Sequence, residues 1–146
     1  MSVTYSNYAK LVYDQIKSLI ATEIPRFKTA GRFVFRDAPK EKDFGFDDFI
    51  RLKIVSDEME SEQTAGHTRR YLFDLCYYKR ADVEFRFDEI CDVAEHIQEL
   101  LTDYRSNTSY WHSCLIETIN YDPPPAPEGL AYSGFTMRLL ISKEKI

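Results

Sequence analysis

Two amphipathic helical patterns interleaved with alternating strand patterns predict an α+β fold. The expected form is a single mixed or antiparallel β-sheet of four to five strands, with two helices packed on one face, in the order α-β-β-β-α-β-β. Three stretches carry this expectation. From Asp88 to Tyr104, the residues Ile90, Val93, Ala94, Ile97, Leu100, Leu101 and Tyr104 recur at three- and four-residue steps, on one stripe of a helix. From Phe49 to Asp57, Ile50, Leu52 and Ile54 alternate with Arg51 and Lys53, as in a strand with one covered face. From Tyr132 to Ser142, Phe135, Met137, Leu139 and Ile141 share one face, with Thr136, Arg138 and Ser142 on the other.

In chain order, the first helix is expected from Ser6, as N-cap, to Ile24, with a stripe of Tyr8, Leu11, Val12, Ile16, Leu19, Ile20 and Ile24. Pro25 ends it, having no N–H to donate and a ring that collides with the preceding turn. Phe33 and Phe35 alternate with Arg32, Val34 and Arg36 after Gly31, consistent with a short strand, and a polar loop punctuated by Pro39 and Gly45 follows. After the Phe49–Asp57 strand, the acidic stretch Glu58 to Gly66 reads as a long hairpin loop. Thr68 to Lys79 is apolar on both faces and reads as a central strand, with Tyr71, Phe73, Leu75 and Tyr77 on one side. Val83, Phe85 and Phe87 make an extended approach to the second helix. Trp111 to Tyr121 and Tyr132 to Ser142 form a closing hairpin over a proline-rich connection, Asp122 to Gly129.

The 146 residues read as one domain spanning 1–146, large enough to bury a core without disulfides or a metal. A net charge of −5 disfavours grasping nucleic acid. Ten Tyr and ten Phe exceed what so small a core needs, which points to rings at an interface or a sheet edge. The three cysteines form no CxxC and read as reduced core thiols. The first residues lack the pattern of a signal peptide, and no apolar run approaches the ~20 residues of a membrane span, so no membrane partner is expected.

No catalytic, cofactor-binding or metal-ligating set emerges, and the chain is not expected to be an enzyme. His67, His96 and His112 are scattered; Asp92 and His96 share a helix face, which suggests a helical ion pair rather than a metal site. With five glycines and no GxGxxG or P-loop, a phosphate cradle is hard to build. A PxxP at Pro124 to Pro127 reads as a stiff turn. The informative feature is a single-sign surface. Asp88, Glu89, Asp92, Glu95, Glu99 and Asp103 face away from the second helix's apolar stripe, and the last two lie where the helix dipole disfavours anions. Its expected counterpart is the basic set on the strands: Arg51, Lys53, Arg69, Arg70, Lys79 and Arg80. Glu95, Glu99 and Asp103 against Arg51, Lys53, Arg69 and Arg70 thus form the candidate subunit interface.

Taken together, the opening helix YAKLVYDQIKSLI, the strand RRYLFDLCYYKR, the helix DEICDVAEHIQELL, the strand WHSCLIETINYD and the return YSGFTMRLLIS resemble the tail terminator proteins of tailed bacteriophages. The resemblance is one of element order and character over about three-quarters of the chain, with no invariant motif. It implies a structural virion protein, assembled in the host cytoplasm, that caps the tail tube as a homo-oligomeric ring, typically a hexamer. Such a ring stops tube polymerisation and presents the joining surface to the head–tail connector or neck protein, with the tail tube protein below and DNA only as passing cargo. On this reading the acidic residues Asp57, Glu58, Glu60 and Glu62 form a lumen or docking loop. Neck or head-completion proteins share much of the pattern. Two further classes remain open: a small enzyme or ligand-binding domain with a pocket between helices and sheet, and an RNA-binding sheet using Tyr71, Phe73 and Tyr77.

Overall fold

The computed structural model describes residues 7–28, 33–34, 48–63, 66–80, 87–103, 111, 113–121 and 132–145. The chain is an α+β fold, as its patterning predicts. Helix α1 (Tyr8–Glu23) and a 3₁₀ turn (Pro25–Lys28) are followed by β1 (Phe33–Val34), β2 (Asp48–Gln63) and β3 (Gly66–Arg80). Helix α2 (Phe87–Asp103), β4 (Ser113–Asn120) and β5 (Tyr132–Lys145) complete it. The strands form one sheet in the order β1-β2-β3-β5-β4, parallel between β1 and β2 and antiparallel elsewhere. Because β5 inserts between β3 and β4, the β3–α2–β4 segment is a split βαβ unit.

Helix α1 begins at Asn7, whose side chain accepts a 3.1 Å hydrogen bond from the Lys10 amide; Asn7, not Ser6, is therefore the N-cap. Val12, Ile16, Ile20 and Ile24 are buried as expected, but Leu11 is 43 % exposed. The helix is rolled so that Ala9, Tyr13 and Leu19 flank the buried line, which carries Leu11 outward. In α2 the covered stripe is the expected one: Ile90, Val93, Ala94, Ile97, Leu100 and Leu101 are all buried.

Both helices cover the same sheet face. It presents Ile50 and Leu52 from β2, Tyr71, Phe73, Leu75 and Tyr77 from β3, and Phe135, Met137, Leu139 and Ile141 from β5. Trp111, just before β4, is fully buried in this core. Each such side chain contributes roughly 1.5–3 kcal/mol by leaving water, so this single layer supplies most of the driving force for folding.

The acidic stretch from Glu58 is not a loop. Strand β2 runs through Gln63, which pairs with Gly66, so residues 58–63 are strand and the connection shrinks to residues 64 and 65. Strand β5 likewise extends past Ser142 and accompanies β3 to His67. Low intrinsic β-propensity in this stretch is overridden by pairing to a β3 strand that is itself held on its other side. The expectations for Gly31, Phe35, the 37–45 loop, Val83, Phe85, Tyr104 and the proline-rich connection lie outside the described residues.

Candidate functional site

The β2–β3 hairpin decides where the expected acidic residues point. The register jumps between Ile54 and Ser56, making Val55 a bulge, and again between Met59 and Ser61. Strict alternation from Ile54 would put Asp57 on the face of Arg51 and Lys53. The bulge instead places it beside Tyr71 on the helix-covered side. There Arg69 Nε donates to Asp57 Oδ1 at 2.8 Å and Arg69 Nη2 to the Asp57 carbonyl at 3.1 Å. Glu58 points to the opposite face, where Arg70 Nη2 donates to Glu58 Oε2 at 3.1 Å. Glu60 falls at the second bulge, and Glu62 is in register with His67; their side chains lie outside the described residues.

These pairs change the expected charge map. Arg69 and Arg70 are engaged by Asp57 and Glu58 within the hairpin, and Lys79 binds Glu89 at 2.9 Å. Arg80's side chain lies outside the described residues. Arg51 is only 7 % exposed, so it is not a surface cation. Its Nη1 makes one long contact, 3.5 Å, to Tyr78 Oη, and its Nε is buried with no hydrogen-bond partner. Among the described residues no carboxylate pairs with it. Lys53 lies on the same face, in register with Asp74, which is bound through both carboxylate oxygens by Arg138 (3.1 and 3.3 Å).

The sheet face opposite the helices is therefore ordered in rows. Glu58 and Arg70 stand in one, and Lys53, Asp74 and Arg138 in another. Between them lie Ser56, Leu72, Leu140 and Leu115, partners in successive registers across β2, β3, β5 and β4. Leu115 is 57 % exposed. A shallow groove of about 260 Å3 runs here, lined by Glu58, Arg70, Leu72, Glu117, Arg138 and Leu140. The leucine row escaped sequence reading because Leu115 and Ile116 are adjacent and only the register shows which one faces the core.

On α2, Asp88, Asp92, Glu95, Glu99 and Asp103 are exposed as expected. No basic residue occupies the last turn, and none of these five has a cationic partner among the described residues. The expected Asp92–His96 ion pair is absent among them.

Chemistry within the chain is muted. Burial pushes the Cys114 thiol up to about 12 and raises that of Cys76 too, so neither is a ready nucleophile at neutral pH. Among the described residues no cluster of His, Cys, Asp or Glu could hold a metal ion. A groove of about 350 Å3 opens between α1 and the sheet at Ala9, Tyr13, Ile54 and Phe73. Its polar groups are already engaged: Lys10 Nζ binds Asp14 at 2.7 Å, and Asn7 caps the helix. Tyr71, Phe73 and Tyr77 lie under the helices with at most 1 % exposure, so they offer no base-stacking platform. No helix among the described residues is long and apolar enough to cross a membrane.

Geometry among the described residues thus defines an α+β subunit whose notable surfaces are an acidic helix face and, on the opposite side, a sheet face exposed around Leu115 and buried at Phe49, Arg51, Cys76 and Tyr78. Comparison with family models and with curated proteins found no match for the chain.

Proposed function

We propose that this chain is a structural subunit of a tailed bacteriophage, one that caps the tail tube as a ring, ends its polymerisation and forms the joining surface to the head or neck. Two things support this reading. The element order is the one that the resemblance to tail terminators requires, from the opening helix to the closing β4–β5 pair. The observation that carries the reading further is the placement of unlike surfaces on opposite sides of one sheet. A subunit with two different, opposed contact surfaces joins head to tail, and such contacts generate rings when the rotation closes.

Partners on this reading are further copies of the chain, the tube protein on one side of the ring and the connector or neck protein on the other. An acidic subunit also suits a channel through which DNA passes without adhering. Electron microscopy of particles assembled without the chain tests the proposal. Overlong or headless tails are the expected result. Tailless, filled heads would move the role to the neck, and unchanged particles would overturn both.

A further inference from the structure

We infer that Phe87 and Tyr121, with the carboxylates of α2 beside them, form a docking site for an arginine presented by a partner protein. The site lies where the start of α2 meets the end of β4, on the helix side of the sheet. It does not depend on the ring reading above.

The carrying observation is a column of rings that runs from the core to the surface. Tyr77 stacks on Phe135 at 5.4 Å, Tyr121 meets Phe135 at 6.3 Å, and Phe87 meets Tyr121 at 6.0 Å with the planes tilted by 59°. Tyr77 and Phe135 are fully buried, whereas Tyr121 is 39 % and Phe87 53 % exposed. A lone exposed ring is ordinary. Two exposed rings in contact, seated on a buried third, make an apolar surface that the fold has already ordered. A ligand lying on them therefore costs little additional side-chain entropy.

The charges around the rings select the ligand. Phe87, Cys91 and Glu95 follow one another at four-residue steps and share one stripe of α2. Burial first, then Cys91 and the Glu95 carboxylate, raise the Tyr121 phenol above its ordinary value, so Glu95 is within electrostatic reach of the ring pair. Asp88, Asp92 and Glu95 are exposed, and none has a cationic partner among the described residues. Aromatic faces carry the negative side of the ring quadrupole, and carboxylates at their margin add to that field. The positive end of the helix dipole opposes it, but Asp88 and Glu89 in the first turn offset the dipole. An uncharged apolar partner would desolvate these carboxylates without pairing them. An arginine satisfies both features at once, its guanidinium plane stacking on a ring while its N–H groups donate to a carboxylate. Lysine, a compact and strongly hydrated charge, meets the carboxylates but stacks less well.

Nuclear magnetic resonance of the isotopically labelled full chain tests this, with backbone and ring signals followed together. The probes are the peptide acetyl-Gly-Arg-Gly-Arg-Gly-amide, its lysine counterpart, and a third in which citrulline replaces arginine and removes only the charge. The arginine peptide should shift the Phe87 and Tyr121 ring signals saturably, and more weakly as salt rises. The lysine peptide should bind less tightly and the citrulline peptide least. Phe87→Leu, which stays apolar but loses the ring, and Glu95→Gln should each weaken binding about two- to fivefold. Tyr121→Phe keeps the ring and should bind as wild type does. Leu115→Ser, at an exposed leucine on the opposite sheet face, is the control and should leave binding unchanged. Circular dichroism and urea midpoints verify that each variant is folded.

Equal shifts from the citrulline peptide, or no shift from the arginine peptide at its highest soluble concentration, would overturn the inference. So would shifts along α2 at Glu99 and Asp103 that leave the rings untouched, which would mark a diffuse counter-ion atmosphere, or a folded Phe87→Leu variant that binds as wild type does.

Discussion

The Tyr77 hydroxyl donates a 2.8 Å hydrogen bond to Asp48 Oδ2, inside the layer between helices and sheet. Asp48 is 5 % exposed and opens strand β2; Tyr77 is fully buried, stacks on Phe135 at 5.4 Å and meets the edge of Phe27 at 6.2 Å. A buried carboxylate at the start of the strand is thus tied to the aromatic centre of the core. Tyr77→Phe keeps the packing and removes the donor, and should cost about 1–3 kcal/mol in urea unfolding. Asp48→Asn, which keeps an acceptor oxygen, should cost less than Asp48→Ala.

Asp74 and Arg138 face each other across β3 and β5 through two hydrogen bonds. Both side chains are partly solvated, which screens the pair. A double-mutant cycle with Asp74→Ala and Arg138→Ala should therefore return a coupling of only about 0.5–1 kcal/mol, falling as salt is raised. A salt-independent coupling would mean that the pair is better shielded than its exposure indicates.

Gly134 sits where β5 crowds β3. A Cβ there would collide with the carbonyl oxygen of Tyr77, a backbone atom that cannot rotate aside. Gly134→Ala should destabilise by roughly 1–3 kcal/mol or more, the range for overpacking, and lower the thermal midpoint accordingly. Ser133→Ala, next to it and only half-buried, is the control and should be nearly silent.

Alkaline pH should unfold the chain earlier than it would a chain with exposed phenols. Burial first, and neighbouring groups second, push Tyr13, Tyr71 and Tyr78 from 10.0 up to about 12; burial alone pushes Cys114 from 9.0 to about 12. Each group is raised in the folded state, so its neutral form is the one that folding favours. The unfolded chain loses these protons first. Stability is fully present below pH 9 and is lost as pH climbs from there through about 12. Urea midpoints should be unaffected by these groups up to pH 9 and fall steeply beyond it; a flat profile to pH 12 would contradict the burial.

Period logic and the Pro25 stop recovered both helices, the fold class and the core face of β5, because those features follow from local spacing; the cap itself lies one residue on from the expected Ser6, at Asn7. What could not be read locally was the register. One extra residue at Val55 rotates Asp57 to the helix side and Glu58 to the open side, and no composition rule marks it. The acidic run from Glu58 looked like a loop because its own propensities are poor for a strand; β3, anchored on β5, supplies the ladder that holds it. Arg51 looked like a surface cation by alternation alone. It stands on the sheet face opposite the helices, and the folded chain buries it there with Phe49, Cys76 and Tyr78, which only the tertiary structure reveals.

That hairpin correction also changes how the acidic residues should be probed. Charge reversal at Asp57 or Glu58 would set like charges against Arg69 or Arg70 and weaken the hairpin itself by up to about 1 kcal/mol. Defects in such variants would mix stability with docking, and urea midpoints should register the former.

The most direct measurement for the account is tube growth in the presence of the purified chain. Tail tube subunits polymerising in vitro are mixed with it and imaged by negative-stain electron microscopy. The account predicts tubes that stop elongating and carry a ring of extra density at one end only. Tubes of unchanged length with bare ends, in the presence of excess folded chain, would contradict it.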